Sequence, residues 1–167
     1  MVRRNGWRWV YSDEKWYGPF VLSGIEEAKG DVITFLDDDD MYREDRLSEV
    51  AKAFREGRGL TYLHNAQLMV DDSGRQVGSV GAGGGRLCFT PSTAPLRHIK
   101  RLMVGFNNSS VAMSSEALRA GAGLLRSIRR SFDTALYAIA LAQEGSTLCH
   151  LGEPLTLYRY HAGPSSS

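Results

Sequence analysis

Four consecutive carboxylates, Asp37-Asp38-Asp39-Asp40, form the densest charge in this 167-residue chain. Neighbouring carboxylates repel, and a divalent cation among them relieves the cost; oxygen ligands of this kind suit Mg²⁺ or Mn²⁺. The run directly follows Val32-Ile33-Thr34-Phe35-Leu36, whose continuous apolar, β-branched character predicts a strand buried on both faces. Open α/β sheets bind ligands at that carboxyl edge. In an extended or turning segment Asp37 and Asp39 can face the same way, gripping a metal whose shell phosphate oxygens complete. The same run also reads as a solvated acidic turn, with Asp40 entering the next helix.

The whole chain has ordinary globular composition, with 43% hydrophobic residues, 23% charged residues and a formal net charge of +1. Its length suits one domain, 1–167. Residues 1–60 hold 10 basic and 13 acidic side chains, whereas residues 61–167 hold 10 and 6. That asymmetry does not suggest nucleic-acid binding, which favours a strongly basic domain; it suits a cation and a phosphate held close together. No apolar run is long enough to span a membrane, and the first residues lack the apolar stretch of a secretory signal. A cytoplasmic chain is expected, at most peripheral to a membrane. Cys88 and Cys149 cannot form a disulfide framework and have no zinc-like spacing.

The elements that must position the carboxylates follow from periodicity. Alternating large residues predict a short strand over 7–11, and Gly18-Pro19 a break before a helix over 20–28. Leu47, Val50, Ala51 and Phe54 mark one face of an amphipathic helix over 43–55. Strands are expected at 60–70 and 76–80, joined by the turn Asp71-Asp72-Ser73-Gly74. Gly81–Gly85 has no phosphate-binding register and reads as a mobile loop. A helix is expected near 94–103, a strand at 109–113 and a helix opened by Ser114/Ser115. A further helix covers 132–143, and two strands cover 147–151 and 155–160. Alternation of strands and helices implies an α/β layered domain.

The segment from Ile25 to Leu47, Ile-Glu-Glu-Ala-Lys-Gly-Asp-Val-Ile-Thr-Phe-Leu-Asp-Asp-Asp-Asp-Met-Tyr-Arg-Glu-Asp-Arg-Leu, closely resembles the central signature of family 2 glycosyltransferases, enzymes of the GT-A fold. Later segments resemble the family in the same order. Asn107 to Met113 with Glu116-Ala-Leu118 is similar to its acceptor-side strand and helix. Phe132-Asp133 resembles the acidic catalytic position, and Leu151 to His161 the closing "E-P-L-x-x-Y-R-x-H" segment. The resemblance covers roughly residues 20–163 and implies a mixed, GT-A-like sheet flanked by helices.

It also implies roles. Asp37 and Asp39 would form the Asp-x-Asp pair, with Asp39 on an Mn²⁺ or Mg²⁺ ion, and Asp38 or Asp37 on the ribose of a nucleotide-diphosphate sugar or on the metal's waters. The metal would neutralise the leaving diphosphate. Asp133 would take the proton from a saccharide or lipid-linked acceptor hydroxyl, giving a single displacement with inversion; by itself Asp133 also reads as an acid favoured at a helix N-terminus. His161 matches a position near the metal or diphosphate, and Arg159 reads as a diphosphate clamp or a strand residue reaching solvent. Trp7, Trp9 and Trp16 read as sugar-stacking or packing residues, and Arg126–Arg130 as a phosphate or lipid contact or a solvated loop.

The family's opening strands "V-S-V-I-I-P-T-Y-N" and "V-D-D-G-S", which hold the nucleotide, have no counterpart here. Val21 and Leu22 stand where the family has Arg and Asn. The expectation is a metal-dependent glycosyltransferase or the catalytic half of one, as a fragment, a chain completed by a partner or a shortened relative with another donor site: weak, base-indifferent nucleotide affinity, doubtful activity alone, and an exposed sheet edge that a second copy or a partner chain covers. A non-catalytic binding relative is the alternative, and a metal-dependent phosphohydrolase a weaker one.

Overall fold

The computed structural model describes residues 8–94, 97 and 107–161. Its elements run α1 (Tyr17–Glu27), β1 (Val32–Thr34), β2 (Met41–Tyr42), α2 (Arg46–Glu56), β3 (Leu60–Val70), β4 (Gln76–Val80) and β5 (Arg86–Phe89). After a 3-10 turn at Asn108–Ser110 come β6 (Val111–Ser114), α3 (Ser115–Ala120), α4 (Ala122–Ser127), α5 (Phe132–Ala142) and β7 (Thr147–Arg159).

One mixed sheet runs β1-β6-β3-β7-β2, with β4 added to β3 and β5 to β7. The long parallel pair β3/β7 is its spine, and the other pairings are antiparallel. Strand side chains alternate between faces, which here divides the core. Tyr62, Val111 and Met113 join Leu22 and Ile25 of α1, Leu118, Leu125, and Phe132, Leu136 and Ile139 of α5. Their sequence neighbours Leu63 and Ala112 point the other way, onto Val50 and Ala53 of α2. Helices thus cover both faces of the sheet, the α/β arrangement expected.

Several boundaries differ from the sequence reading. Residues 8–11 form no strand, and Trp9 and Tyr11 are exposed. Gly18 and Pro19 do not interrupt the chain; they lie in the first turn of α1, where backbone N–H groups have no intrahelical partner and proline sacrifices nothing. Gly18 is required there because α4 crosses it closely: a methyl group would collide with Leu125 O and stand 2.7 Å from Ile128 O. The strand before the aspartates is only three residues long and half-buried throughout, because it pairs with β6 alone among the described residues. In α2 the buried residues are Arg46, Val50 and Ala53, and Leu47 is 57% exposed. The two closing strands are one, β7, whose register against β3 shifts near Asn65 and Ala66. Gly81–Gly85 is a tied loop, with Gly83 N donating to Gly152 O and Gly152 N to Gly85 O. The expected strand at 109–113 begins only at Val111, after the 3-10 turn. The expected helix near 94–103 and the serine-rich end lie outside the described residues.

Other readings hold. The bounds of β3, β4 and α5 agree with the periodicity. Ser114 caps α3 by accepting from Ala117 N at 3.3 Å. Gly145, at φ 71°, follows α5 in the left-handed region that glycine occupies without steric cost.

Candidate active site

The aspartate run is a turn, closed by Asp40 N donating to Asp37 O at 3.3 Å, and the turn sends the four side chains in different directions. Asp40 goes inward. Its carboxylate, 7% exposed, accepts from Asn107 Nδ2 at 2.8 Å and from Arg159 N at 2.9 Å. It ties the turn to the 3-10 segment and to β7, and the helix-entry role goes instead to Asp45, the residue before α2. Asp38 stands exposed at the tip.

Asp37 is half-buried. Its Oδ1 accepts from the Tyr17 hydroxyl at 3.1 Å, and its backbone N–H donates to Ser109 Oγ at 3.0 Å. Asn108 Nδ2 donates to the same Tyr17 oxygen at 3.2 Å and reaches Asp37 Oδ2 at 3.5 Å. Burial raises the Asp37 pKa; the Tyr17 and Asn108 hydrogen bonds oppose the rise, and the charges of Asp40 and Asp39 add to it. Burial, then the Asp37 charge, also pushes the Tyr17 phenol well up, so it remains a donor. The oxygen of the Asn108 amide is buried without a hydrogen-bond partner.

Asp39 faces β7's end. Its Oδ2 lies 3.2 Å from His161 Nε2, and His161 Nδ1 lies 3.4 Å from Asp72 Oδ1. The imidazole therefore bridges the aspartate turn and the β3–β4 turn. Arg159 braces the same two turns: its Nε donates to Asp39 O at 3.0 Å, and its Nη1 to Asp71 O at 3.4 Å and Asp72 O at 3.3 Å.

Asp133 arrives from the other end of the fold. Phe132 packs edge-on against both Tyr17, at 5.4 Å between centroids, and Phe35, at 5.5 Å. That wedge anchors the start of α5 beside β1 and α1, with Asp133 half-buried; its charge is among those that raise the Tyr17 pKa. The preceding Ser131 has φ 56°, the only non-glycine in the left-handed region among the described residues. Such strain persists where surrounding packing imposes it, often beside functional groups.

Sequence reasoning gave no site role to Tyr17, Asn108 or Asp72, though Asn108 stands in the Asn107–Met113 segment and Asp72 in the 71–74 turn. It also missed Arg46, which is 0% exposed. Its guanidinium lies 3.9 Å from the centre of the Tyr42 ring and donates to Asn65 Oδ1 and Val111 O; burial lowers its pKa. Tyr42 in turn donates to Phe35 O, so this pair supports the strand end that carries Asp37. The basic cluster 126–130 is a paired surface: Arg126 meets Glu26 at 3.2 Å and Arg129 covers the Trp16 ring at 4.5 Å.

Among the described residues no group of three or more His, Cys, Asp or Glu side chains converges to hold a metal ion. Asp39 and His161 do meet as a pair. A hard cation that keeps waters and takes substrate phosphate needs few protein ligands, and the Asp39 carboxylate is an oxygen donor of the kind it takes.

Fold and site together define a GT-A-like α/β domain with acidic groups gathered at the carboxyl end of β1. Residues 6–75 match the model of a protein family described as Glycosyl transferase family 2. The resemblance carried by the Ile25–Leu47 signature is therefore to that family, and the match supports a role in glycosyl transfer. It spans α1 to β3 and ends before Asp133, Arg159 and His161. No curated protein matches the chain. Among the described residues no helix is long and apolar enough to cross a membrane.

Proposed function

We propose that the domain transfers a sugar from a nucleotide-diphosphate sugar to the hydroxyl of a saccharide or lipid-linked acceptor, with inversion, in the cytoplasm. The observation that supports this reading is the packing of Phe132 on Tyr17 and Phe35, which sets the start of α5, where Asp133 lies, beside the Tyr17 ring whose hydroxyl bonds Asp37.

Asp39 and His161 would hold a Mn²⁺ or Mg²⁺ ion, with Asp37 near its waters. Such a cation would supply neutralising charge for the leaving diphosphate. Asp133 accepts the acceptor's proton as the hydroxyl attacks the anomeric carbon from the face opposite the diphosphate. Tyr17 and Asn108 fix Asp37 before substrate arrives, so its orientation costs nothing during reaction. Arg159 holds the two turns together through backbone carbonyls, and Asp38 is free to reach the ribose.

Calorimetric titration with Mn²⁺, paired with a transfer assay over UDP-, GDP- and CDP-sugars, tests the assignment. Asp39→Ala should lose metal affinity. Asp133→Asn should lose transfer and keep metal affinity. Equal Mn²⁺ affinity in wild type and Asp39→Ala refutes the metal role, and loss of Mn²⁺ binding in Asp133→Asn moves that residue into the metal shell.

A further inference from the structure

The cysteine pair joins β5 to β7, apart from the residues that bond the aspartate turn. β5 runs antiparallel to β7 with Cys88 directly opposite Cys149, their Cα atoms 4.1 Å apart, and the two are joined in a disulfide. The partners differ sharply in access: Cys88 is exposed, whereas Cys149 is 1% exposed and packs with Val50, Ala53 and Leu63. A cation touches both sulfurs. Arg86 Nε lies 3.2 Å from Cys88 Sγ and Nη2 lies 3.9 Å from Cys149 Sγ. The guanidinium is held there by α2, through Ala53 O at 3.4 Å and the looser Glu56 carboxylate at 3.8 Å.

We propose that this bridge is a thiol-exchange site, open to attack at Cys88 by a small thiol of the glutathione or dithiol class. The attacking thiolate bonds to Cys88 Sγ, the S–S bond breaks, and its electron pair leaves with Cys149 as a thiolate. A second thiol then takes Cys88 out of the mixed disulfide. Two electrons pass from the reductant, which ends as its own disulfide, and two protons come to the cysteines. A buried apolar setting would disfavour the Cys149 thiolate, and the guanidinium offsets this; a lower-pKa thiol leaves faster. Direction is thus built in, with the exposed sulfur attacked and the buried one expelled. In a cytoplasmic setting the bridge would be of the transient, exchangeable kind.

The test uses the full chain, incubated with reduced glutathione or dithiothreitol at neutral pH. Free thiols are counted by maleimide mass labelling, and far-UV circular dichroism checks that the fold persists. The bridge should open in the folded protein, the first glutathione adduct should map to Cys88, and Arg86→Met should slow opening by about tenfold while Arg86→Lys restores most of the rate. Opening only at denaturant concentrations that unfold the chain overturns the proposal. So does an adduct on Cys149, or an unchanged rate in a folded Arg86→Met. If Arg86→Met does not fold, adduct position in the wild type decides.

Discussion

The Tyr17 hydroxyl donates to Asp37 Oδ1 at 3.1 Å, joining the first turn of α1 to the first residue of the aspartate turn. Neither residue's environment is visible from its own segment. The contact exists because Phe132 supports the Tyr17 ring from α5, and it leaves Asp37 as a half-buried carboxylate with a raised pKa.

A raised carboxylate pKa fixes the sign of its effect on stability. Below the ordinary carboxylate range Asp37 is neutral in both states and imposes no penalty. As pH rises through the unfolded value towards the higher folded value, stability is lost, and the loss is complete above the folded value. Asp37→Asn should therefore be more stable than the wild type at pH 7. Thermal melts against pH should show the gain vanish in acid, with transfer abolished throughout.

Tyr17→Phe deletes the hydrogen bond that opposes the pKa rise and keeps the ring contact with Phe132. The Asp37 pKa should rise further, read by carboxyl carbon NMR. The cost in stability should be about 1 kcal/mol.

Asp39 and Asp40 are neighbours with opposite duties. Asp40→Ala strands the Arg159 N–H and the Asn107 amide in a buried site, so it should destabilise by about 3 kcal/mol. Asp39→Ala, at an exposed contact with His161, should change stability by less than about 1 kcal/mol yet remove Mn²⁺ affinity. Urea unfolding beside calorimetry separates the two.

Gly18→Ala should cost about 3 kcal/mol or more, since its methyl meets backbone oxygens of α4 that have no rotamer to change. Chemical denaturation measures it. Gly24→Ala, with open space around it, should be neutral or slightly stabilising in mid-helix.

The edge of β1 should associate with a second copy. It lies between grooves of about 680 and 440 Å³, the first bordered by Leu47 and the second by Leu36, both more than half exposed. A strand edge that is unpaired among the described residues and has apolar flanks is a pairing template. Light scattering after gel filtration should find a dimer or larger species for the wild type, and a monomer for Leu36→Lys/Leu47→Glu. A monomeric wild type refutes the association.

Local chemistry determined much of this protein. Period-2 and period-3.6 patterns placed β3, β4 and α5, Ser114 announced the cap of α3, and the strand-then-aspartate signature pointed to the fold. Those features depend on neighbours in sequence, so sequence carries them. The division of labour within Asp37–Asp40 does not, because four identical side chains differ only in what the turn presents them to: Tyr17, solvent, His161 and Asn107. Burial of Arg46 in place of Leu47 likewise follows from Asn65 and Val111 on distant strands. The pairing of Cys88 with Cys149 required β5 to dock on β7 in one register, across 61 residues. Long-range packing sets these contacts, and only the folded chain brings such partners within bonding distance.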